Sequence, residues 1–387
     1  MSALAPVIAD RFSRQFPGKP LLVASPGRVN LIGEHTDYNE GFVLPGATDK
    51  AVVFAVAPRA DGLCHFVSRD FDQEFRCELG QLHRSPLRWP DYLQGVIDQF
   101  VKAGHRVGGI SCVFGGDIPI GAGMSSSAAI EGGLAFALNA LFGLGLDSLT
   151  LVKLAQKAEN EFVGVRCGIM DQFINIFGRA RTVLKIDCRS LGYEPVPFER
   201  EDLRVVISDT LVRRELASSE YNVRRSQCEA GVGALRAHDP SIRSLRDVSL
   251  DLLREHRAEL DPVVFRRCEY VVRENIRVGD ACAALARNDF AVFGGLMNLS
   301  HAGLRDDYEV SSPELNALVE AARRVPGVLG SRMMGAGFGG CTISLVEAGA
   351  VGEFQARVAR DYEAETGQAP KIHVIRIEQG THAVDLA

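Results

Sequence analysis

Apolar residues recur along the chain with two periods, and the alternation of these periods predicts a mixed α+β protein. Spacing of three or four residues, typical of amphipathic helices, runs over residues 10–16, 90–103, 128–143, 148–163, 219–235, 262–285, 315–324 and 351–366. Alternating or short apolar runs predict strands over residues 21–24, 51–57, 64–68, 110–114, 182–187, 203–209, 341–345 and 371–377. A further short strand is predicted before the glycine-rich loop at residues 335–340, so the last third of the chain closes with a β-β-α-β order.

The stretch PIGAGMSSSAAIEGG, residues 119–133, lies between a predicted strand and a predicted helix. Gly121 and Gly123 allow a tight curl that presents backbone N–H groups. The serines at 125–127 add hydroxyl donors and suit the N-cap of the following helix. A helix N-terminus has unpaired N–H groups and partial positive charge, so the stretch is typical of a phosphate cradle. A glycine turn capped by serine is the simpler alternative, and neither a Walker A loop nor a dinucleotide fingerprint matches.

The segment between two predicted strands, residues 25–49, is unusually polar. Hydrogen-bonding side chains are dense within the twelve positions 28–39, among them Arg28, Asn30, Glu34, His35, Asp37, Tyr38 and Asn39. Val29, Leu31 and Ile32 would anchor this segment inside the protein, which disfavours a merely solvated surface loop. We therefore predict that the segment holds a polar ligand.

A second candidate is Asp171, in an apolar context formed by Ile169, Met170, Phe173 and Ile174. A carboxylate there is costly unless it has a partner, so Asp171 is expected to be a functional acid or base, to pair with Arg28, or to cap a helix that begins at Gln172.

Two predictions concern structural residues. Trp89 is expected in the core rather than as an aromatic lid, and Arg213, Arg214, Arg224 and Arg225 are expected to form a solvated basic face unless they steer phosphates.

Composition narrows the class of protein. The 387 residues carry a net charge of −6, which disfavours broad binding to nucleic acid or anionic membranes. No apolar run is long enough for a membrane span, and the N-terminus lacks a signal pattern, so a cytoplasmic protein is expected. The nine cysteines contain no C-x-x-C pair, which indicates reduced, mostly buried thiols. The turn-rich stretch PVPFERED predicts a boundary near Pro197 between domains 1–197 and 198–387.

Several separated motifs together resemble the galactokinase family of GHMP small-molecule kinases. GRVNLIGEHTDYNEGFVLP (27–45) is similar to the galactokinase signature. PIGAGMSSSAA (119–129) resembles the GHMP phosphate loop, with Met124 where leucine is usual, and MGAGFGG (334–340) resembles the third GHMP motif. CGIMDQF (167–173) and SHAGLRDDYEVS (300–311) are also similar to galactokinase segments, so the resemblance covers nearly the whole chain.

The resemblance implies a two-domain GHMP kinase fold, with a ferredoxin-like C-terminal domain and the active site between the domains. It implies that Arg28 and Asp171 are catalytic and act at the anomeric hydroxyl of the sugar. The sugar pocket would contain Glu34, His35, Asp37, Gly168 and Tyr221. The implied nucleotide loop is Gly121, Ala122, Gly123, Met124, Ser125, Ser126, Ser127 and Ala128, and Ser127 and Glu159 would hold Mg²⁺.

Three functions are compatible with these residues. The first is an ATP-dependent kinase that makes galactose 1-phosphate, with Asp171 as base and Arg28 as electrostatic stabiliser. The second is a related GHMP kinase for N-acetylgalactosamine or arabinose. The third is a non-catalytic transcriptional sensor that binds galactose and ATP, which the complete SSSAA run disfavours. We expect galactose and ATP as ligands, no nucleic-acid or membrane partner, and a monomer or weak homodimer.

Overall fold

The computed structural model describes residues 4–119, 123–165, 167–212 and 217–386, and it contains three sheets surrounded by helices. The strands are β1 Leu21–Asn30, β2 Phe42–Val43, β3 Pro45–Pro58, β4 Leu63–Ser68, β5 Gln73–Glu78, β6 Ile110–Gly116, β7 Thr182–Asp187, β8 Tyr193–Pro197, β9 Leu203–Asp209, β10 Val328–Met334, β11 Cys341–Glu347, β12 Lys371–Ile375 and β13 His382–Ala383. The helices are α1 Ala5–Gln15, α2 Trp89–Lys102, α3 Ser126–Leu141, α4 Ser148–Lys157, α5 Met170–Phe177, α6 Ala217–Arg236, α7 Leu250–Glu255, α8 Pro262–Ala286, α9 Phe290–Asp306, α10 Pro313–Arg323 and α11 Val351–Thr366.

The largest of the three sheets has six strands in the order β13-β1-β3-β6-β4-β5. Its strands β1 and β3 run antiparallel, from the pair Leu21–Val56 to the pair Asn30–Pro45. Both strands extend into the polar segment 25–49, for which the sequence pattern predicted no strand. That prediction was therefore wrong for residues 25–30 and 45–49, because β1 and β3 continue to pair past the point where the apolar alternation stops.

The second sheet has four strands in the order β10-β11-β9-β12, and every neighbouring pair is antiparallel. In chain order this is the 4-1-3-2 arrangement of a ferredoxin-like sheet, and α10 and α11 pack against it through a buried apolar cluster. The predicted β-β-α-β closing order is confirmed by β10, β11, α11 and β12. The overall architecture is the α+β two-domain arrangement that the sequence predicted.

The third sheet, β2-β7-β8, shows a second difference from the sequence prediction. PVPFERED was expected to be a turn-rich connection, but Pro195–Pro197 belongs to β8, which pairs with β7. Proline is tolerated there because β8 is an edge strand of this sheet and needs fewer backbone donors. The position of the domain boundary near Pro197 stays a prediction.

The burial of individual side chains tests the predictions made for Trp89 and for the four arginines. Trp89 is buried, as predicted, and donates its indole N–H to Gln73 Oε1 at 2.8 Å. Arg224 was wrongly assigned to a solvated face. It is 7% exposed and donates to the backbone carbonyls of Tyr308 and Glu309 at 2.8 and 2.7 Å. Arg213 and Arg214 lie outside the described residues. No helix in the described part of the chain is long and apolar enough to cross a membrane.

Candidate active site

A cavity of about 1440 Å³ opens between elements of the two larger sheets. Its lining contains thirteen residues that the sequence singled out: Arg28, Glu34, His35, Asp37, Gly123, Met124, Ser125, Ser126, Ser127, Glu159, Gly168, Asp171 and Tyr221. Ala128 is instead buried inside α3, and Gly121 and Ala122 lie outside the described residues. The fold therefore gathers residues that are as much as 193 positions apart along the chain, from Arg28 to Tyr221, into one site.

The strongest contact in the cavity joins Arg28, near the end of β1, to Asp171, in the first turn of α5. Arg28 Nε donates to Asp171 Oδ1 and Nη2 donates to Oδ2, both at 2.7 Å. Such a bidentate pair fixes the orientation of both side chains. The helix begins at Met170 and its N-cap is Ile169, so the prediction that Asp171 caps a helix starting at Gln172 was wrong.

Ser125 supplies a third contact to Asp171, since its hydroxyl donates to Oδ2. It occupies the N-cap of α3, with a left-handed φ of 55°, but its side chain does not cap the helix. The expected serine cap was therefore wrong for Ser125. Because a carboxylate has about four acceptor positions, Oδ1 of Asp171 keeps one for a further donor.

The loop before α3 is fastened directly to β1. The backbone N–H of Arg28 donates to the carbonyl of Met124 at 3.0 Å, and Arg28 Nη1 donates to the carbonyl of Gly123. Gly27 must lack a side chain, because a Cβ there would lie 2.8 Å from the Met124 carbonyl oxygen. These contacts set the N-terminus of α3 beside the Arg28–Asp171 pair, so an anion at that terminus would lie next to both side chains.

Glu34 is held by Arg332, on β10, and by Gly335, in the glycine-rich motif at residues 334–340. Its Oε1 accepts from both terminal nitrogens of Arg332 at 3.2 Å and from the backbone N–H of Gly335 at 2.9 Å. Arg332 is fully buried and also donates to the carbonyls of Asn30 and Leu31. With Oε1 occupied in this way, Oε2 is the atom of Glu34 that can accept a hydrogen bond from a ligand.

An aromatic cluster surrounds His35. Its Nδ1 lies 2.9 Å from the hydroxyl of Tyr38, which in turn lies 2.7 Å from the hydroxyl of Tyr308. The ring of Tyr221, on α6, lies 5.6 Å from the His35 ring. Burial lowers the pKa of His35 to about 3, against a hydrogen bond to the backbone of Ala336 that raises it. His35 is therefore neutral near pH 7, and its ring can act toward a ligand as a hydrogen-bonding group rather than as a charge.

Asp37 and Gly168 meet at the same wall of the cavity. Burial raises the pKa of Asp37 to about 6, and the charges on Asp171 and Glu34 add to the increase. A Cβ on Gly168 would clash with Oδ2 of Asp37. Glycine at 168 thus gives the carboxylate its position, which explains in steric terms why this residue belongs to the site.

A buried polar network lies under the loop, around Glu159 in the π-helical segment Ala158–Val163. Gln172 Nε2 donates to Glu159 Oε2 at 2.6 Å and to Glu131 Oε2 at 3.0 Å. Burial raises the pKa of Glu159, and hydrogen bonds from Cys167 and Ser127 oppose this. Burial raises the pKa of Glu131 well above its usual range, and the charge on Glu159 adds to this. The oxygens of Ser127 and Glu159 are the kind that Mg²⁺ prefers.

Several residues in or next to the site were not predicted as such from the sequence, among them Tyr92, Glu131, Gln172, Tyr308 and Arg332. Glu131 and Arg332 lie within apolar or glycine-rich runs, and a charged residue in such a run is the one signal that the sequence contains for them. Gln172 and Tyr308 lie inside quoted motifs. Tyr92 has helical apolar spacing, and its side chain lines the cavity only because α2 packs beside the π-helical segment.

The family comparisons agree with this geometry. Residues 10–58 match the galactokinase galactose-binding signature, residues 91–179 match the GHMP kinase N-terminal domain, and residues 281–364 match the GHMP kinase C-terminal domain. Mevalonate kinase from Methanococcus jannaschii, at 17% identity, has a TM-score of 0.65 over 94% of this chain and 100% of that chain, which supports the fold alone. Fold and site thus define a GHMP small-molecule kinase.

More similar relatives narrow the family further. A galactokinase from Roseiflexus sp. (strain RS-1) is 46% identical over 378 residues, which are 97% of this chain and 96% of the relative. The crystal structure of Lactococcus lactis galactokinase complexed with galactose is 34% identical, with a TM-score of 0.94 over 99% of this chain and 100% of that chain. The chain belongs to the galactokinase family.

Proposed function

We propose that this protein transfers the γ-phosphate of ATP to the anomeric hydroxyl of D-galactose, giving galactose 1-phosphate and ADP. The observation that carries the proposal is the bidentate Arg28–Asp171 pair beside the N-terminus of α3, in a cavity that also contains Glu34, His35 and Asp37. Membership of the galactokinase family and similarity to a galactokinase complexed with galactose support galactose as the sugar.

Sugar recognition uses groups whose orientation is already fixed. Glu34 Oε2, the neutral His35 ring, the Asp37 carboxylate and the Tyr221 hydroxyl would each take a hydroxyl of the hexose. A buried polar group left without its partner costs about 1–3 kcal/mol, so an epimer whose hydroxyl points elsewhere is rejected. Gly168 contributes by leaving room for Asp37.

The phosphoryl transfer itself needs a base and a counter-charge. Asp171 Oδ1 would accept the proton of the anomeric hydroxyl while that oxygen bonds to the γ-phosphorus and the bond to the β–γ bridging oxygen breaks. ADP then leaves with the bridging oxygen. Arg28 would hold the Asp171 carboxylate in place before the step and stabilise negative charge on the transferred group during it.

The nucleotide end of the site is formed by the loop and α3. Backbone N–H groups from Gly121 to Ala128, with the serine hydroxyls, would hold the phosphates of ATP. Ser127 and Glu159 would hold Mg²⁺, which would offset the negative charge of the phosphates. The donor set fits this ion, because a magnesium site needs only one or two protein oxygens besides the phosphates and water.

We also propose that the chain divides into domains at Pro197, and that the protein is cytoplasmic and a monomer or a weak homodimer.

The alternatives of a kinase for N-acetylgalactosamine or arabinose, and of a non-catalytic sensor, have no support in the comparisons. One experiment separates them: ADP release measured over a panel of sugars with ATP and Mg²⁺. We expect turnover with galactose above all other sugars. Faster turnover of N-acetylgalactosamine or arabinose would refute the substrate assignment, and tight galactose binding without any ADP release would refute catalysis.

A further inference from the structure

Two histidines and a glutamate cluster in the segment between α6 and α8, among residues that do not line the active-site cavity. His238 follows the end of α6, His256 is the C-cap of α7, and Glu259 lies in the short 3₁₀ helix Arg257–Glu259. His238 Nε2 lies 2.6 Å from Glu259 Oε2, and His256 Nδ1 lies 2.9 Å from Oε1 of the same carboxylate. The two imidazole rings are stacked, with centroids 3.8 Å apart and planes inclined by 21°. Each ring therefore places one of its nitrogens next to the same Glu259 carboxylate.

We propose that His238, His256 and Glu259 bind a divalent transition-metal ion such as Zn²⁺. One ligand atom from each residue lies within 4.8 Å of the other two. Zinc–nitrogen distances of about 2.0–2.1 Å place tetrahedral ligands roughly 3.4 Å apart. The widest pair of ligand atoms would thus have to close by at most about 1.4 Å, and the nitrogen–oxygen pairs at 2.6 and 2.9 Å would have to open by about 0.5–0.8 Å, which side-chain torsions can supply at a surface site.

The backbone beneath the cluster is already fixed. The N–H of His238 donates to the Leu235 carbonyl at 3.0 Å, and the N–H of Glu259 donates to the His256 carbonyl at 3.1 Å. Leu235 and Leu253 are buried in the core cluster of the helical segment. Because the backbone is ordered before the ion arrives, binding costs only the freedom of three side chains.

The donor types select the ion. Two imidazole nitrogens and one carboxylate oxygen suit zinc, copper or nickel, and they suit magnesium and calcium poorly. Three protein ligands leave the fourth tetrahedral position to water. The Mg²⁺ that accompanies ATP should therefore not compete for this site, so the two metal functions can be separated in one sample.

Calorimetric titration of the full-length protein with ZnCl₂ tests the proposal, together with the visible absorption of a tetrahedral Co²⁺ complex. The test variants are His238→Ala, His256→Ala and Glu259→Gln. The control is His83→Ala, because His83 is also exposed but its ring nitrogen lies near a backbone carbonyl, that of Gln81 at 2.9 Å. Circular dichroism establishes that each variant is folded.

We expect one equivalent of Zn²⁺ to bind in the presence of excess Mg²⁺. Each test variant should weaken that binding by at least about tenfold, since even residues that only support a ligand contribute this much, and His83→Ala should not change it. Zinc affinity that is the same in the three variants would assign the ion to other groups, such as thiols, and overturn the proposal. Absence of zinc binding in the unmodified protein would overturn it equally.

Discussion

Replacing Asp171 with Asn should nearly abolish turnover while galactose binding stays measurable. Asn keeps the size and one oxygen of the side chain but cannot accept a proton from the sugar hydroxyl. General-base catalysis contributes about 10²–10⁴-fold, and each factor of ten is about 1.4 kcal/mol, so the barrier should rise by roughly 3–5 kcal/mol. The carboxylate also binds Arg28 twice and Ser125 once, so the variant loses part of a partly buried ion pair as well.

The stability effect must be separated from the catalytic effect. Arg189–Asp247 is a matched ion pair: it is also bidentate, at 2.7 and 2.8 Å, and the Asp247 side chain is 22% exposed, as is that of Asp171. Asp247 does not line the cavity. Asp247→Asn and Asp171→Asn should lower the melting temperature by similar amounts. Only Asp171→Asn should lower kcat.

The assay measures kcat by coupled ADP release, galactose affinity by calorimetry and melting temperature by calorimetric scanning. A kcat for Asp171→Asn within about tenfold of the native value, which is 1.4 kcal/mol, would refute the role of Asp171 as base. An equal fall of kcat in Asp247→Asn would show that lost stability, rather than lost chemistry, explains the effect.

Three further predictions concern the walls of the site. Because burial raises the pKa of Asp37 to about 6, this carboxylate is ionised above that pH and protonated below it; KM for galactose should rise as the pH falls through 6, and Asp37→Asn should remove that pH dependence. Gly168→Ala should raise KM for galactose at least about tenfold through its clash with Asp37, with KM for ATP unchanged, whereas Gly62→Ala, which has open space around it, should change neither. Gln172→Leu removes the bridge between Glu131 and Glu159, so it should lower stability by about 1–3 kcal/mol and raise the Mg²⁺ concentration needed for half-maximal rate; an unchanged Mg²⁺ dependence would refute the positioning role of Gln172.

Long periodic segments were predictable from the sequence because burial alone determines them. Helix α11 was predicted with its observed bounds, and β7 and β9 were also correct. The failures occur where tertiary pairing overrides the local pattern. β1 and β3 continue through polar residues because each satisfies the other's backbone groups, and β8 contains prolines because it is an edge strand. Helix α9 was not predicted, since its several glycines weaken the helical signal.

Within the site, the residues that contact a ligand were easier to predict than those that position them. Glu34 lies in a dense polar segment, but its partner Arg332 comes from a strand 298 positions later. The separation of the two residues along the sequence gives no sign that their side chains lie close together in space. The same holds for Ser125, which a helix-start pattern assigns to capping, although its hydroxyl instead donates to Asp171 on another helix.

A crystal structure with galactose and an unreactive ATP analogue would show directly whether Asp171 and Arg28 meet the anomeric hydroxyl and the γ-phosphate. We expect the anomeric hydroxyl to lie about 2.6–3.2 Å from Asp171 Oδ1, with the γ-phosphate at the N-terminus of α3 beside Arg28. A different sugar hydroxyl at Asp171, or a γ-phosphate away from the Arg28–Asp171 pair, would contradict it.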